Sequence, residues 1–361
     1  MPKTRFVCIS DTHGYTPSEA GFKLPAGDVL IHAGDLTNQG SKIEIEKTIN
    51  WISKTEYQVK IIVAGNHDTT LDPITPHSND DQDLQKYLEL LLSSSPQMVY
   101  LNHQAALIRL TRPTGPRAMF KIFGSPYSRQ ISRTWAAFGY EADDAEGLWS
   151  QIPLDADIVV THTPPHSHLD TRGENRTGCK ALNRVLRQVR PCLAVCGHVH
   201  EARGVERVRW GVDSFGKEST VRERGYEGHN EDYVERVAMP PSGSKKQCIV
   251  DLTGRKERKL DSCGFGSKAI GASFSPEQNI VNVPSSGQDD GNTLKPPMTN
   301  QQVSSDNISY QDDEYLRLRS LRRETCIVNS AIMATSWPHR GGKKFNSPIV
   351  VDLELPEADK M

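Results

Sequence analysis

The sequence predicts a layered α/β fold with at least one largely parallel sheet, broken late in the chain by a long polar stretch. Three observations predict it. Short β-branched runs alternate with helix-period segments through the first two thirds of the 361 residues. Several of these runs end directly in Gly, Asp, Asn or His, the residues of strand-end loops that aim side chains into a crevice. Beyond Trp210 the periodicity gives way to Ser, Gly, Asn, Gln and Asp, and it returns near Cys326.

Taken in order, Phe6–Ser10, Val29–Ala33, Lys60–Ala64, Met119–Phe123, Ile158–Thr161 and Leu193–Cys196 read as buried strands. Between them, Ile45, Ile49 and Ile52 share one helix face, as do Leu84, Leu88 and Leu91, and Leu182, Val185, Leu186 and Val189. From Asp213 to Arg323 only Gln247–Leu252 reads as a strand, and residues 262–309 are expected to be disordered. Cys326–Met333 and Pro348–Leu353 are β-rich again and read as the last strands of the first unit. The expected division is therefore one discontinuous domain, residues 1–212 and 324–356, with 213–323 as a low-complexity, mostly disordered insertion. Strands Val205–Trp210 and Cys326–Met333, which flank it, are expected to be neighbours, because long insertions at surface turns cost little.

Composition narrows the function. The hydrophobic share is 36% and the net charge −2, with a pI near 6.6 and a mean hydropathy of −0.55. A near-neutral chain has no general pull toward nucleic acid or anionic membranes. No apolar run approaches the ~20 residues that cross a bilayer. Phe6–Ile9 is too short for a signal-peptide core. The seven Cys are scattered, with no Cys-x-x-Cys pair, which fits reduced thiols and a cytoplasmic or nuclear setting.

Five clusters follow predicted strands: Asp11-Thr12-His13, Gly34-Asp35, Gly65-Asn66-His67-Asp68, Thr161-His162 and Gly197-His198-Val199-His200. Carboxylate, carboxamide and imidazole together make a mixed N/O donor set that suits Mn, Fe or Zn better than Ca. A carboxylate such as Asp35 can bridge two cations, and a cation pair activates water against a phosphoryl group. Metal-assisted hydrolysis of a phosphate ester is the chemistry this pattern suggests.

Two other motifs fail on mechanism. Gly211-x-x-x-x-Gly216-Lys217 is followed by Glu218, whose carboxylate would repel phosphate. Gly264-x-Gly266-x-x-Ala269 has no strand before it. His32 reads as a packed core residue, His166 and His168 as pocket rim or solvated loop, and Cys192 and Cys196 as small apolar residues. The basic runs Arg255–Lys259 and Arg317, Arg319, Arg322 and Arg323 read as solvated charge.

The ordered motifs, with Ser10-Asp11-Thr12-His13-Gly14, Thr161-His162-Thr163-Pro164-Pro165 and Val328-Asn329-Ser330-Ala331 around them, resemble the calcineurin-like metallophosphoesterase superfamily. Within it the wording is closest to class III cyclic-nucleotide phosphodiesterases and the MPPED-like group, over about residues 4–211 and 325–355. The resemblance implies a four-layer sandwich of two central mixed sheets flanked by helices. It implies two divalent metal ions. Asp11, His13 and His200 would hold one, Asn66, His162 and His198 the other, with Asp35 bridging. Asn66 and His67 would be catalytic, His67 as general acid or donor to developing charge and Asn66 stabilising it. It implies attack by a metal-bound hydroxide on a phosphodiester, a cyclic nucleotide or related small molecule. After Asp35 the chain reads Leu36-Thr37-Asn38-Gln39-Gly40, without the Asp-Arg-Gly of protein phosphatases. Alternatives are a nuclease, RNA-processing enzyme or phosphomonoesterase using the same site, or a non-catalytic metal-binding module. The expected partner is a small phosphoester; no membrane partner is expected and nucleic acid is disfavoured. Loop Thr163–Gly178 and segment Ser125–Tyr140, with Tyr127, Trp135 and Phe138, are expected to wall the pocket.

Overall fold

The computed structural model describes residues 1–74, 95–129, 136–211, 232–254, 259–261, 280–282, 322–336 and 338–358. The chain opens with β1 (Lys3–Ile9), α1 (Pro17–Ala20), β2 (Val29–Ala33), α2 (Lys42–Ser53) and β3 (Val59–Val63). β4 (Met98–Tyr100), β5 (Gln104–Arg109) and β6 (Met119–Ser125) follow, then the short β7 (Ser128–Arg129) and β8 (Gly139–Tyr140). Next come α3 (Ala145–Trp149), β9 (Ile158–Thr161), and a ribbon of β10 (Thr171–Arg172) and β11 (Asn175–Arg176). α4 (Lys180–Val189), β12 (Leu193–Cys196), β13 (Gly204–Arg209), β14 (Tyr233–Arg236), β15 (Cys248–Asp251) and β16 (Ile280–Asn282) precede β17 (Glu324–Asn329) and β18 (Ile349–Glu354).

Two sheets carry the fold. One has the order β15-β18-β1-β2-β3-β4, the other β14-β13-β17-β12-β9-β6-β5-β16. β1 to β4 run parallel, as do β6, β9, β12 and β17. Alternate residues of each strand point into the space between the sheets: Phe6, Cys8, Ile31 and Ile61 from one meet Phe120, Ile122, Val160 and Val195 from the other. The opposite faces are covered by helices. Ile45, Ile49 and Ile52 of α2 pack on Val7, Ile9, Leu30 and Ile62. Leu182, Val185, Leu186 and Val189 of α4, with Trp149, pack on Val159, Ala194 and Ile327. The result is four layers, helix–sheet–sheet–helix, as expected. α2 starts where Ser41 and Glu44 form a reciprocal cap. The segment with Leu84, Leu88 and Leu91 lies outside the described residues.

β13 and β17 pair antiparallel, so the strands flanking the insertion are neighbours. The chain then crosses from one sheet to the other. Ser330 N–H donates to Cys196, Ser10 N–H to Ser330, and Ile332 N–H to Ser10. β18 finally pairs with β1.

Within 213–323, Cys248–Asp251 is the expected strand, and two more were not foreseen. Tyr233–Arg236 pairs with β13 and Ile280–Asn282 with β5, both at sheet edges. Runs of three or four residues joined through backbone bonds leave no hydrophobic period to read. Arg322 is not solvated: it is buried and donates to the Ala156 carbonyl and to Asp157 at 2.8 Å each. Most of the 262–309 stretch lies outside the described residues. All six described cysteines, Cys192 and Cys196 among them, are buried free thiols. Among the described residues, no helix is long and apolar enough to cross a membrane.

Candidate metal centre

The carboxyl ends of β1, β2 and β3 in one sheet, and of β9 and β12 in the other, release the five predicted loops into one crevice. Asp11, His13, Asp35 and His198 all have left-handed backbone, with φ of 53, 45, 53 and 67°. Such a conformation costs about 1–2 kcal/mol per residue and persists because bonds between loops fix it. Asp11 N–H donates to Gly34, His13 N–H to Asp35 and Gly197 N–H to His162. Glycine is required where loops touch. A Cβ on Gly65 would stand 2.4 Å from Asp35 N and Oδ1, and one on Gly197 2.4 Å from Asp11 Oδ2.

Eight predicted side chains converge. Asp11, His13 and His200 form one group whose donor atoms lie within 4.8 Å of one another; Asp11, Asp35 and His162 form another. His13, Asp35 and His67 form a third. Asn66 Oδ1 lies 2.9 Å from His162 Nε2 and 2.8 Å from His198 Nδ1. His162 Nε2 is also 3.3 Å from Asp35 Oδ1.

Hydrogen bonds behind the rings decide which atoms face inward. His162 Nδ1–H donates to the Ala33 carbonyl and His200 Nδ1–H to the Thr335 carbonyl. Each ring, when neutral, therefore presents a lone pair at Nε2. For His162 that lone pair faces the oxygens of Asn66 and Asp35. His200 Nε2 faces His13 Nε2 at 3.2 Å, and His13 Nδ1 is buried without a hydrogen-bond partner among the described residues. Acceptors converging on acceptors require positive charge between them, either protons or cations. Protons supply it in part: burial opposes protonation of His162, but the Asp35 carboxylate outweighs burial and pushes it up to about 9. Burial instead drives His13 and His198 down to about 4, leaving both neutral. Asp11, though buried, is held down at about 2 by His200. The neutral imidazoles of His13 and His198 and the ionised carboxylates fit a divalent cation, which would take the place of the proton on His162.

His67 is held in the same way as His162 and His200, and by a backbone bond besides. Its Nδ1–H donates to the Asn38 carbonyl at 2.7 Å, and its backbone N–H to Asp35 Oδ1 at 2.9 Å. Asp68 is buried and neither orients the His67 ring nor caps a turn with its side chain. It accepts from Gly65, Leu36 and Thr37 N–H, binding the β2 loop to the β3 loop. Burial pushes it up to about 6, and Asp35 adds to that.

Three contributors escaped sequence reasoning. Asn329 donates through Nδ2 to the Val199 carbonyl at 2.9 Å and the Leu169 carbonyl at 3.2 Å, joining the His198–His200 loop to the 163–178 loop. Thr335 orients His200, and Ser10 Oγ donates to Asp11 at 2.6 Å. The motif around Asn329 carried only its family likeness; a backbone carbonyl carries no sequence signal. His32 is the core residue expected, bonded to Thr12 Oγ1. His168 is not at a rim: it is buried, 2.9 Å from Glu206, against Trp210. Phe138 is a core side chain and no pocket wall; its segment meets the site through Ala137 N–H, which donates to the Asn66 carbonyl. Trp135 lies outside the described residues.

The sequence model of calcineurin-like phosphoesterases matches residues 4–202. The chain is 38% identical over 212 residues to the human metallophosphoesterase domain-containing protein 1, covering 56% of this chain and 62% of that protein. It is 39% identical over 208 residues to a protein of Emericella nidulans named probable rhamnogalacturonate lyase C, covering 57% of this chain and 18% of that one. A UPF0046 protein of Caenorhabditis elegans is 32% identical over 206 residues, covering 56% and 66%. The match thus spans under two thirds of each relative.

Proposed function

The chain belongs to the calcineurin-like phosphoesterase family, and from that premise we propose that it hydrolyses a small phosphodiester, such as a cyclic nucleotide, at a centre of two divalent cations. The observation that carries this reading is the convergence of ligand-type atoms: His162 Nε2, Asn66 Oδ1 and Asp35 Oδ1 on one side, His13, His200 and Asp11 on the other. Asp11, His13 and His200 would hold one cation and Asn66, His162 and His198 the second, with Asp35, which faces both groups, available to each. The mixed N/O set suits Mn, Fe or Zn. Such cations lower the pKa of a bound water and offset charge on the phosphoryl oxygens.

The chain's own groups do the rest. Asp35 fixes His67 through the backbone bond, and the Asn38 carbonyl keeps the His67 Nδ1 proton. Nε2 is therefore the atom that exchanges a proton with the leaving oxygen, which requires His67 to act from its doubly protonated form. The Asn66 carboxamide offers N–H donors to a phosphoryl oxygen. On this reading the catalytic unit is residues 1–212 with 324–356, and 213–323 is an insertion lending edge strands.

The test is a screen of metal-loaded full chain against phosphomonoesters, linear diesters and cyclic nucleotides. Diesters should be turned over in Mn²⁺, and Asp35→Ala or His67→Ala should abolish that turnover. Full activity in Asp35→Ala sinks the mechanism.

A further inference from the structure

A loop beside the crevice is not used by the chemistry above. Residues 338–344 leave the metal centre at Thr335, whose carbonyl holds His200, and return where Ala334 N–H donates to the Lys344 carbonyl. His339 Nδ1 lies 3.1 Å from Thr335 Oγ1. On the other side Lys343 Nζ donates to the Tyr15 hydroxyl at 2.9 Å and stands 4.9 Å over its ring. Phe345 packs on the same ring. Tyr15 is two residues from His13. The loop is thus anchored on the His200 side and on the His13 side of the centre.

Its charge is one-sided. No Asp or Glu occurs between residues 325 and 351, while Arg340, Lys343 and Lys344 are basic and exposed. Among the described residues Arg340 has no hydrogen bond or ion pair, and a tyrosine leaves the charge of Lys343 unneutralised. At the tip, Gly341 and Gly342 have φ of 85 and 88°, with nothing within 4 Å of where a Cβ would stand. The ribbon β10–β11 is different: Arg176 is already paired with Asp170, and Glu174 sits in its turn.

We infer that residues 338–344 form a basic arm of the pocket that takes a second phosphate of the substrate, away from the metal centre, with Arg340 and Lys343 making the contacts. The inference rests on the phosphodiester reading for its substrate, but its binding half can be tested alone. In chelator-treated full-chain protein, tripolyphosphate should slow tryptic cleavage after Arg340 and Lys343 severalfold more than orthophosphate does. In metal-loaded protein, two p-nitrophenyl esters of a nucleoside 5′-phosphate are compared, one with an added 3′-phosphate. The ratio of their kcat/KM values should fall about tenfold in Arg340→Ala/Lys343→Ala, the scale of a lost charge-assisted contact. Equal cleavage with both anions, or an unchanged ratio, overturns the arm. Turnover of neither ester refutes the phosphodiester reading instead, and tryptic protection still decides the arm.

Discussion

Replacing Gly65 by alanine tests whether close approach of the β2 and β3 loops builds the metal centre. The new methyl would stand 2.4 Å from both N and Oδ1 of Asp35 and 2.7 Å from His162 Cε1. Those contacts fall short of ordinary separation by about 1 Å in a packed interior. Two of the three atoms belong to Asp35 and one is its backbone, so rotation of a flexible side chain gives no escape. The carboxylate must move, and the bond from His67 N–H to Asp35 Oδ1 moves with it. Sites of this kind tolerate about 0.5 Å of misplacement, and about 1 Å costs on the order of a hundredfold in rate. Expected are weaker cation binding by calorimetry and a hundredfold lower kcat/KM on a nitrophenyl diester. Gly147→Ala, with nothing within 4 Å in α3, is the control and should gain up to about 1 kcal/mol. Wild-type cation affinity and turnover in Gly65→Ala would refute the reasoning.

Two further outcomes are expected. Arg322→Ala leaves the Asp157 carboxylate buried and unpaired and should cost about 3–5 kcal/mol in urea unfolding. Burial pushes Asp157 up to about 6 despite Arg322, so the fold favours its neutral form; the deficit should widen as pH rises through 6 and shrink below it. Asn329→Ala removes both bonds to the Val199 and Leu169 carbonyls; it should weaken cation binding about 10–100-fold by calorimetry. An unchanged affinity would show that the His198–His200 loop holds itself.

How much was legible follows the kind of interaction. Asp11, His13, Asp35, Asn66, His162, His198 and His200 could be read because each is a donor type placed just after an apolar strand. The four layers followed from two periodicities and a family likeness. What escaped was long-range and carried by backbone. His168 looked exposed after Pro164-Pro165, yet its partner Glu206 lies on β13, 38 residues on. Phe138 reads as a pocket aromatic, but the bond from its N–H to Asp72 turns it into the core. Asp68 serves three backbone N–H groups of two loops, a role no spacing announces.

The crossing from β17 to β18 sets when the centre can exist. β1 is made long before β18, its partner across Lys3↔Glu354. Residues 329–335, which lock Asp11 and His200 in place, are equally late. During synthesis one edge of β1 therefore waits unpaired, and closing so long a loop is slow. Contacts that complete the crevice thus depend on residues made after the insertion, so cation binding should be gained only once β17 and β18 have been made and the sheets have closed.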